Sequence, residues 1–315
     1  MVGAALGLAA LVPMQADAAP EQRASAHPWL QLPGAFFLGR QAVTVPHRVV
    51  DVVGGEWPYV AGQWVTLRVS RAGRVIETRE LALRASPRGN YGQFHAAFAS
   101  PGVGRVVITV THSATPALAA FKQQRSVTAL DTHVGFGSRG LFVSLIQQRL
   151  AALHFYIPQS GRYDQATGLA LDAYHRLLRW GTYQTLDSRT IAALLNGTGA
   201  FKVRFPGHGR HAEGDLSLQL LALINGSTVD AIYPISSGKP STPTILGDFH
   251  VYSKVPGYLP DGMFDSNFFY GNYAIHGYDP APDYPASHGC MRLPIADATS
   301  VYGWLAIGDW VDTYY

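Results

Sequence analysis

From about residue 40 to residue 131, apolar and polar positions alternate in short runs. Val43-Thr44-Val45, Trp64-Val65-Thr66-Leu67-Arg68-Val69 and Val106-Val107-Ile108-Thr109-Val110 are rich in β-branched residues. Successive side chains of a strand point to opposite faces, so each run offers one face to a core and one to water. Gly54-Gly55, Ala72-Gly73, Arg88-Gly89-Asn90 and Pro101-Gly102 interrupt the runs where turns are needed. Regular short strands with this punctuation predict a β-sandwich, immunoglobulin-like in layout, over residues 40–131. Its histidines, His47, His95 and His112, stand apart from one another and read as core or surface residues.

The period changes over residues 137–199. Leu141, Leu145, Leu150 and Leu153 recur at helical spacing. Asp164 stands at the start of a second helical stretch carrying Thr167, Leu171, Tyr174 and Leu178. Asp187 opens a third with Ile191, Leu194 and Leu195, which Asn196-Gly197 ends. A carboxylate before the first turn can accept a free backbone N–H, and a glycine after the last turn can take the left-handed conformation. A small three-helix bundle is expected. Residues 201–315 return to strand. Asp215 to Leu223 followed by Asn225-Gly226 reads as strand and hairpin turn, with Val229 to Ile235 returning. Pro294 to Ala306 predicts a short helix on the sheet, and Trp310 to Tyr315 a last strand.

Composition fits a chain of this kind. At 315 residues it accommodates two or three domains, and a hydrophobic content of 47% supports real cores. Charged residues make up only 14%, with a net charge of +3 and no Lys/Arg run, so a nucleic-acid partner is not expected. The first residues, Met1 to Gln15, are apolar and lead into Ala16-Asp17-Ala18. This resembles the hydrophobic region and cleavage site of an export signal without its charged start. Residues 1–18 are therefore expected to be a truncated signal or an anchor, and 19–39 a polar linker. The expected location is exported, in the cell wall or a periplasm-like space.

One cysteine, Cys290, occurs in the chain. It has no internal disulfide partner, which leaves an inert core residue, an intermolecular link or a nucleophile. A thiol of ordinary pKa near ~8.5 is mostly protonated at neutral pH, so a nucleophile needs a base and donors for the oxyanion. Both are at hand. His276-Gly277 lies upstream, Ser287-His288-Gly289 leads directly into the thiol, and Arg292 follows it. His288 is two residues from Cys290 and shares its face in an extended stretch; His276 must be brought in by the fold. Spacing leaves either as the base.

His276-Gly277, a spacer, Ser287-His288-Gly289-Cys290 and Arg292 resemble the signature of the L,D-transpeptidase (YkuD-like) catalytic domain. Tyr233-Pro234-Ile235-Ser236-Ser237-Gly238-Lys239-Pro240, Thr242-Pro243-Thr244, Gly247-Asp248-Phe249 and Gly308-Asp309-Trp310-Val311 extend the likeness to the last third of the chain. The resemblance implies a β-sandwich catalytic domain over 201–315 with Cys290 as acyl-accepting nucleophile and His276 as base. The Gly277 carbonyl would orient the imidazole, and the N–H groups of His288, Gly289 and Cys290 would form the oxyanion hole. Ser287 and Arg292 would shape the substrate side. The implied partners are peptidoglycan stem peptides, and neither a metal nor an organic cofactor is implied. The spacer is short and proline-rich, Asp279-Pro280-Ala281-Pro282-Asp283-Tyr284-Pro285.

Leu145-Ile146-Gln147, Leu150, Leu153, Gly161-Arg162-Tyr163-Asp164, Thr167 and Ala173-Tyr174 resemble a peptidoglycan-binding domain, although His175 stands where a glutamine is common. Helical periodicity alone would place the same apolar residues, so a purely structural bundle is the alternative. The expected architecture is a multidomain, mainly β chain: an immunoglobulin-like sandwich, a three-helix bundle and an L,D-transpeptidase-type sandwich. Two other chemistries are weaker. Ser236-Ser237-Gly238-Lys239 spells Ser-x-x-Lys, but Gly238 and Pro240 oppose the helix that motif needs. His276, Asp279, Asp283 and His288 are proper zinc ligand types without a metal-site spacing; His208 and His211 read as a polar strand entrance.

Overall fold

A computed structural model describes residues 23–315. The apolar N-terminal segment expected to be a signal or anchor lies outside the described residues. The chain divides into two compact units, one ending at Leu130 and the other spanning Asp131–Tyr315.

In the first unit the alternating runs become strands β1 (His27–Gln31), β2 (Phe36–Leu38), β3 (Gln41–Thr44), β4 (Val49–Trp57), β5 (Trp64–Arg71), β6 (Arg74–Ala82), β7 (Arg84–Ala85), β8 (Gly92–Ala99), β9 (Gly104–His112) and β10 (Phe121–Ala129). They form a sheet ordered β1-β4-β8-β7 and a sheet ordered β2-β3-β10-β9-β5-β6. Val65, Leu67 and Val69 of β5, Val106, Ile108 and Val110 of β9, and Phe94 and Phe98 of β8 fill the space between the sheets. The sandwich is the expected one. The linker is not: β1 and β2 lie within residues 19–39, and β1 pairs along its whole length with Val53–Trp57. The run His27-Pro28-Trp29-Leu30-Gln31 has one strongly apolar inward residue, Leu30, too weak a period to be seen among its polar neighbours.

The second unit begins with helices α1 (Leu141–Ala152), α2 (Gln165–Leu177) and α3 (Ser188–Leu195). The Asp164 carboxylate accepts the Thr167 N–H (3.0 Å) and the Asp187 carboxylate the Thr190 N–H (2.6 Å). Gly197, at φ +68°, closes α3. The buried face of α1 is Phe142, Leu145, Ile146 and Leu150, while Leu141 is exposed.

Strands β11 (Arg210–Asp215), β12 (Leu220–Asn225), β13 (Thr228–Pro234), β14 (Gly247–His250), β15 (Ser253–Tyr258), β16 (Phe264–Tyr270), β17 (Tyr273–Gly277) and β18 (Met291–Leu293) follow, then helix α4 (Ile295–Trp304) and β19 (Trp310–Tyr314). Two sheets result, ordered β13-β12-β11-β19-β14 and β15-β16-β17-β18. Leu221, Leu223, Tyr233, Ile275, Met291, Leu293, Val301 and Val311 make their common core. The single strand expected from Asp215 to Leu223 is two strands joined by a tight turn. Asp215 Oδ1 accepts from the Ser217 N–H (3.0 Å), the Ser217 hydroxyl (2.7 Å) and the Leu218 N–H (3.0 Å), and Gln219 sits at φ +54°. Leu216, Leu218 and Leu220 continue the strand period through the turn, which hid it.

The helices share a compact unit with the second sandwich. The segment after α1 pairs with the free edge of β13: Phe155 bridges Ile232, Tyr156 N–H donates to Ile232 O (3.0 Å) and Ile232 N–H to His154 O (2.8 Å). The Ile232 N–H and carbonyl on that open edge are thereby satisfied.

Candidate active site

Strand β17 carries His276 and runs parallel to β18, with Ile275 opposite Met291, His276 opposite Arg292 and Gly277 opposite Leu293. Cys290 immediately precedes β18, two residues before Arg292, the residue that pairs with His276. The spacer between them is thus a crossover linking two adjacent parallel strands, closed by helix-free, proline-bearing chain. Gly277 is needed where it stands: a Cβ there would lie 2.7 Å from the Ala298 Cβ of α4.

His276 is buried, and its Nδ1 lies 2.9 Å from the Gly277 carbonyl oxygen. A carbonyl only accepts, so Nδ1 carries the proton and Nε2 is the basic nitrogen. Burial pulls the His276 pKa below its ordinary 6.5; the Gly277 carbonyl opposes this, and the Arg292 cation adds to it. Cys290 is half-buried, and its thiol donates to the Asn272 carbonyl (3.5 Å). Burial raises the thiol above its ordinary value, against the pull of the Ala274 backbone and of Arg292. Both shifts favour the uncharged thiol–imidazole pair over a thiolate–imidazolium pair.

The turn before the thiol is held from within. The buried Ser287 hydroxyl donates to the Cys290 carbonyl (2.6 Å) and accepts from the Gly289 N–H (3.0 Å). Two expectations change here. Ser287 is fully buried, so it builds the turn and does not face substrate. The Gly289 N–H, one of the three expected for an oxyanion hole, is already bonded to the Ser287 hydroxyl. Gly289 contributes something else. It sits at φ +123°, and a Cβ would come 2.3 Å from the Tyr273 ring.

His288 is exposed, with Nε2 3.3 Å from Lys239 Nζ. Its ring therefore meets a cation, while the ring of His276 meets a carbonyl. Arg292 lies over the Tyr278 ring at 4.0 Å, and Tyr278 stands edge-on to His276 at 5.8 Å. Tyr273 and Tyr278 were not singled out from the sequence, and Lys239 was named only within longer motifs. For Lys239 the signal was present in Ser236-Ser237-Gly238-Lys239, whose extended conformation and bridges from Ser236 to Arg292 and from Gly238 to Ser287 fit no Ser-x-x-Lys helix. The ligand atoms of His276, Asp279, Asp283 and His288 are not gathered as a metal set among the described residues. His208, Asp248 and Asp312 are, within 4.8 Å of one another, and His208 Nδ1 is bonded to Asp312 (3.0 Å).

Fold and site define a β-sandwich that presents a thiol and a buried imidazole from two parallel neighbouring strands. Residues 209–312 match the L,D-transpeptidase catalytic domain family, YkuD. Among solved structures, the L,D-transpeptidase from Xylanimonas cellulosilytica is 30% identical, with 59% of this chain and 98% of that one covered and a TM-score of 0.53. The catalytic domain of the Enterococcus faecium L,D-transpeptidase is 25% identical over 34% of this chain and 98% of its own, at a TM-score of 0.31. An L,D-transpeptidase from Mycobacterium smegmatis is 14% identical over 91% of this chain and 99% of its own, also at 0.31. No curated protein sequence matched. The chain belongs to the L,D-transpeptidase family, peptidoglycan-modifying enzymes that act on stem peptides.

Proposed function

We propose that this protein is a cysteine L,D-transpeptidase that forms 3→3 peptidoglycan cross-links. The observation that carries the proposal is the pairing of β17 with β18, which sets buried His276 beside the strand that Cys290 opens. His276 Nε2 takes the Cys290 proton as the sulfur attacks the carbonyl of an L-centre–D-centre amide in a tetrapeptide donor stem. The N–H groups of His288 and Cys290 stabilise the oxyanion. Collapse of the tetrahedral adduct expels the terminal D-residue, whose amine receives the proton from His276. The thioester is then attacked by the side-chain amine of a neighbouring stem, and the thiol is regenerated.

The chain is exported in this proposal, since its substrate lies in the wall. Water as acceptor would make the same site an L,D-carboxypeptidase. A wall-binding protein without turnover is the reading from a different class. Purified protein incubated with a defined tetrapeptide stem separates them by mass: cross-linked dimer, tripeptide or unchanged stem. Cys290→Ala and His276→Ala should each abolish product; full activity in either would overturn the mechanism.

A further inference from the structure

A charged residue of the helical region reaches into the catalytic sheet. Arg176, at the end of α2, is 7% exposed, and Asp172 one turn before it is 3% exposed. Their side chains form a buried ion pair. The same guanidinium donates from Nη1 to the Gln219 carbonyl (3.0 Å) and to the Ile235 carbonyl (3.0 Å). Gln219 ends the tight turn before β12, and Ile235 follows β13, so one group clamps both strands where they approach the site.

The contacts continue without a gap. Ile235 N–H donates to the Gln219 carbonyl (3.0 Å). The Gln219 side chain accepts the Ser237 N–H (2.8 Å) and donates to the Ser237 hydroxyl (2.7 Å). The Ser237 carbonyl accepts the N–H groups of Ala286 and Ser287 (2.9 Å each). Ser236 and Arg292 exchange two backbone bonds of 2.9 Å. Ser287 then bonds the carbonyl of Cys290 (2.6 Å). Gln219, Ser236, Ser237 and Ser287 are all buried, which removes water as a competing partner.

A buried ion pair is a poor device for stability, because desolvation offsets most of its attraction, and apolar replacement of both partners is often neutral. Its geometry is another matter: a planar guanidinium fixes two carbonyls in one place. We infer that Arg176 is a positioning residue for the Cys290 turn, acting through Gln219 and Ser237, and that the helical region is thus a working part of the catalytic unit. This goes beyond a wall-binding role for the helices and rests on the proposed chemistry only for its turnover readout.

The test uses the full chain and three variants: Asp172→Leu/Arg176→Met, Arg176→Lys and Gln219→Met. Two quantities are read. One is the rate of acylation by the tetrapeptide donor, with KM separated from kcat. The other is the pH midpoint of Cys290 alkylation by iodoacetamide, which needs no transpeptidase chemistry. The double variant should keep its Tm near that of the parent. Its kcat and that of Gln219→Met should fall by about 10- to 100-fold with KM little changed, the scale of a misplaced reacting group. Arg176→Lys should recover part of the loss. In the double variant and Gln219→Met the alkylation midpoint should drop, because a loosened turn admits water to a thiol now held up by burial. Should the double variant not fold, Gln219→Met still severs the relay with the ion pair intact. Parental kcat and an unchanged alkylation profile in Gln219→Met would overturn the inference. A parent inert toward the donor would count against the proposed reaction alone, and the alkylation profile would still decide the positioning role.

Discussion

At the scale of single residues, the site depends on one glycine whose need is geometric. Gly289 holds a left-handed φ of +123° under the ring of Tyr273. Gly289→Ala meets both the backbone penalty and the ring, at a combined cost of about 2–4 kcal/mol. The expected result is a lower Tm by calorimetry and a collapse of donor acylation; a fully active, equally stable variant would show that the turn adapts. The titration of His276 gives a second prediction. Its folded pKa lies below 6.5, chiefly through burial. In the proposed reaction the neutral imidazole is the competent base, so acylation should persist at neutral pH and be lost only as pH falls through that lowered value. Arg292 also holds the value down, so Arg292→Gln should move the acid limb toward higher pH. A limb centred above 6.5 in the parent would contradict this. The segments that the β17–β18 pairing brings together were largely legible in the sequence. Cys290, His276 and Gly277 carry a signature dense enough to place them. Ser287 was legible as a site residue but not as a buried one, since burial follows from Ser236–Lys239 packing on it. Tyr273 was invisible because its role is to lie across a glycine sixteen positions away.

At the scale of elements, chain direction is set by small polar devices. Asp164 and Asp187 were readable as helix starts because a cap acts within its own four residues. Asp215 does a similar task in the turn between β11 and β12, yet it was not readable there. Leu216, Leu218 and Leu220 keep the alternation of a strand, and only the three bonds to Asp215 Oδ1 show the chain turning. Asp215→Ala should destabilise the protein by about 1–2 kcal/mol, the range for losing such a cap. Denaturant unfolding checks the value. Because the turn ends at Gln219, donor turnover should fall with it; an unchanged Tm would mean that the turn is held by Gln219 alone.

At the scale of the whole molecule, two sandwiches make a mainly β chain, and the helices belong to the second of them. Sequence periodicity told the strand-rich stretches from the helical one, but could not show that the segment after α1 bridges the edge of β13, because one bridge from Phe155 to Ile232 leaves no period to read. The first unit carries its own titration. Glu56 of β4 is buried, and burial raises its carboxyl to about 7 against the pull of backbone N–H groups. An acid with a raised folded pKa binds more protons folded than unfolded. Its contribution is therefore full below about pH 4.5 and fades as pH rises to about 7. Glu56→Gln should remove this loss and raise stability at pH 8 by roughly 1–3 kcal/mol, with little gain at pH 4. Thermal unfolding at the two pH values measures it; equal effects at both would show that Glu56 does not titrate in this range.

The most direct test of the proposed chemistry is intact-mass analysis of the protein during incubation with a defined tetrapeptide stem. Cys290 should gain the mass of the stem less its terminal D-residue, and the adduct should decay into a cross-linked dimer as acceptor stem is added. Product formed without any adduct on Cys290, or by the Cys290→Ala protein, would contradict the mechanism.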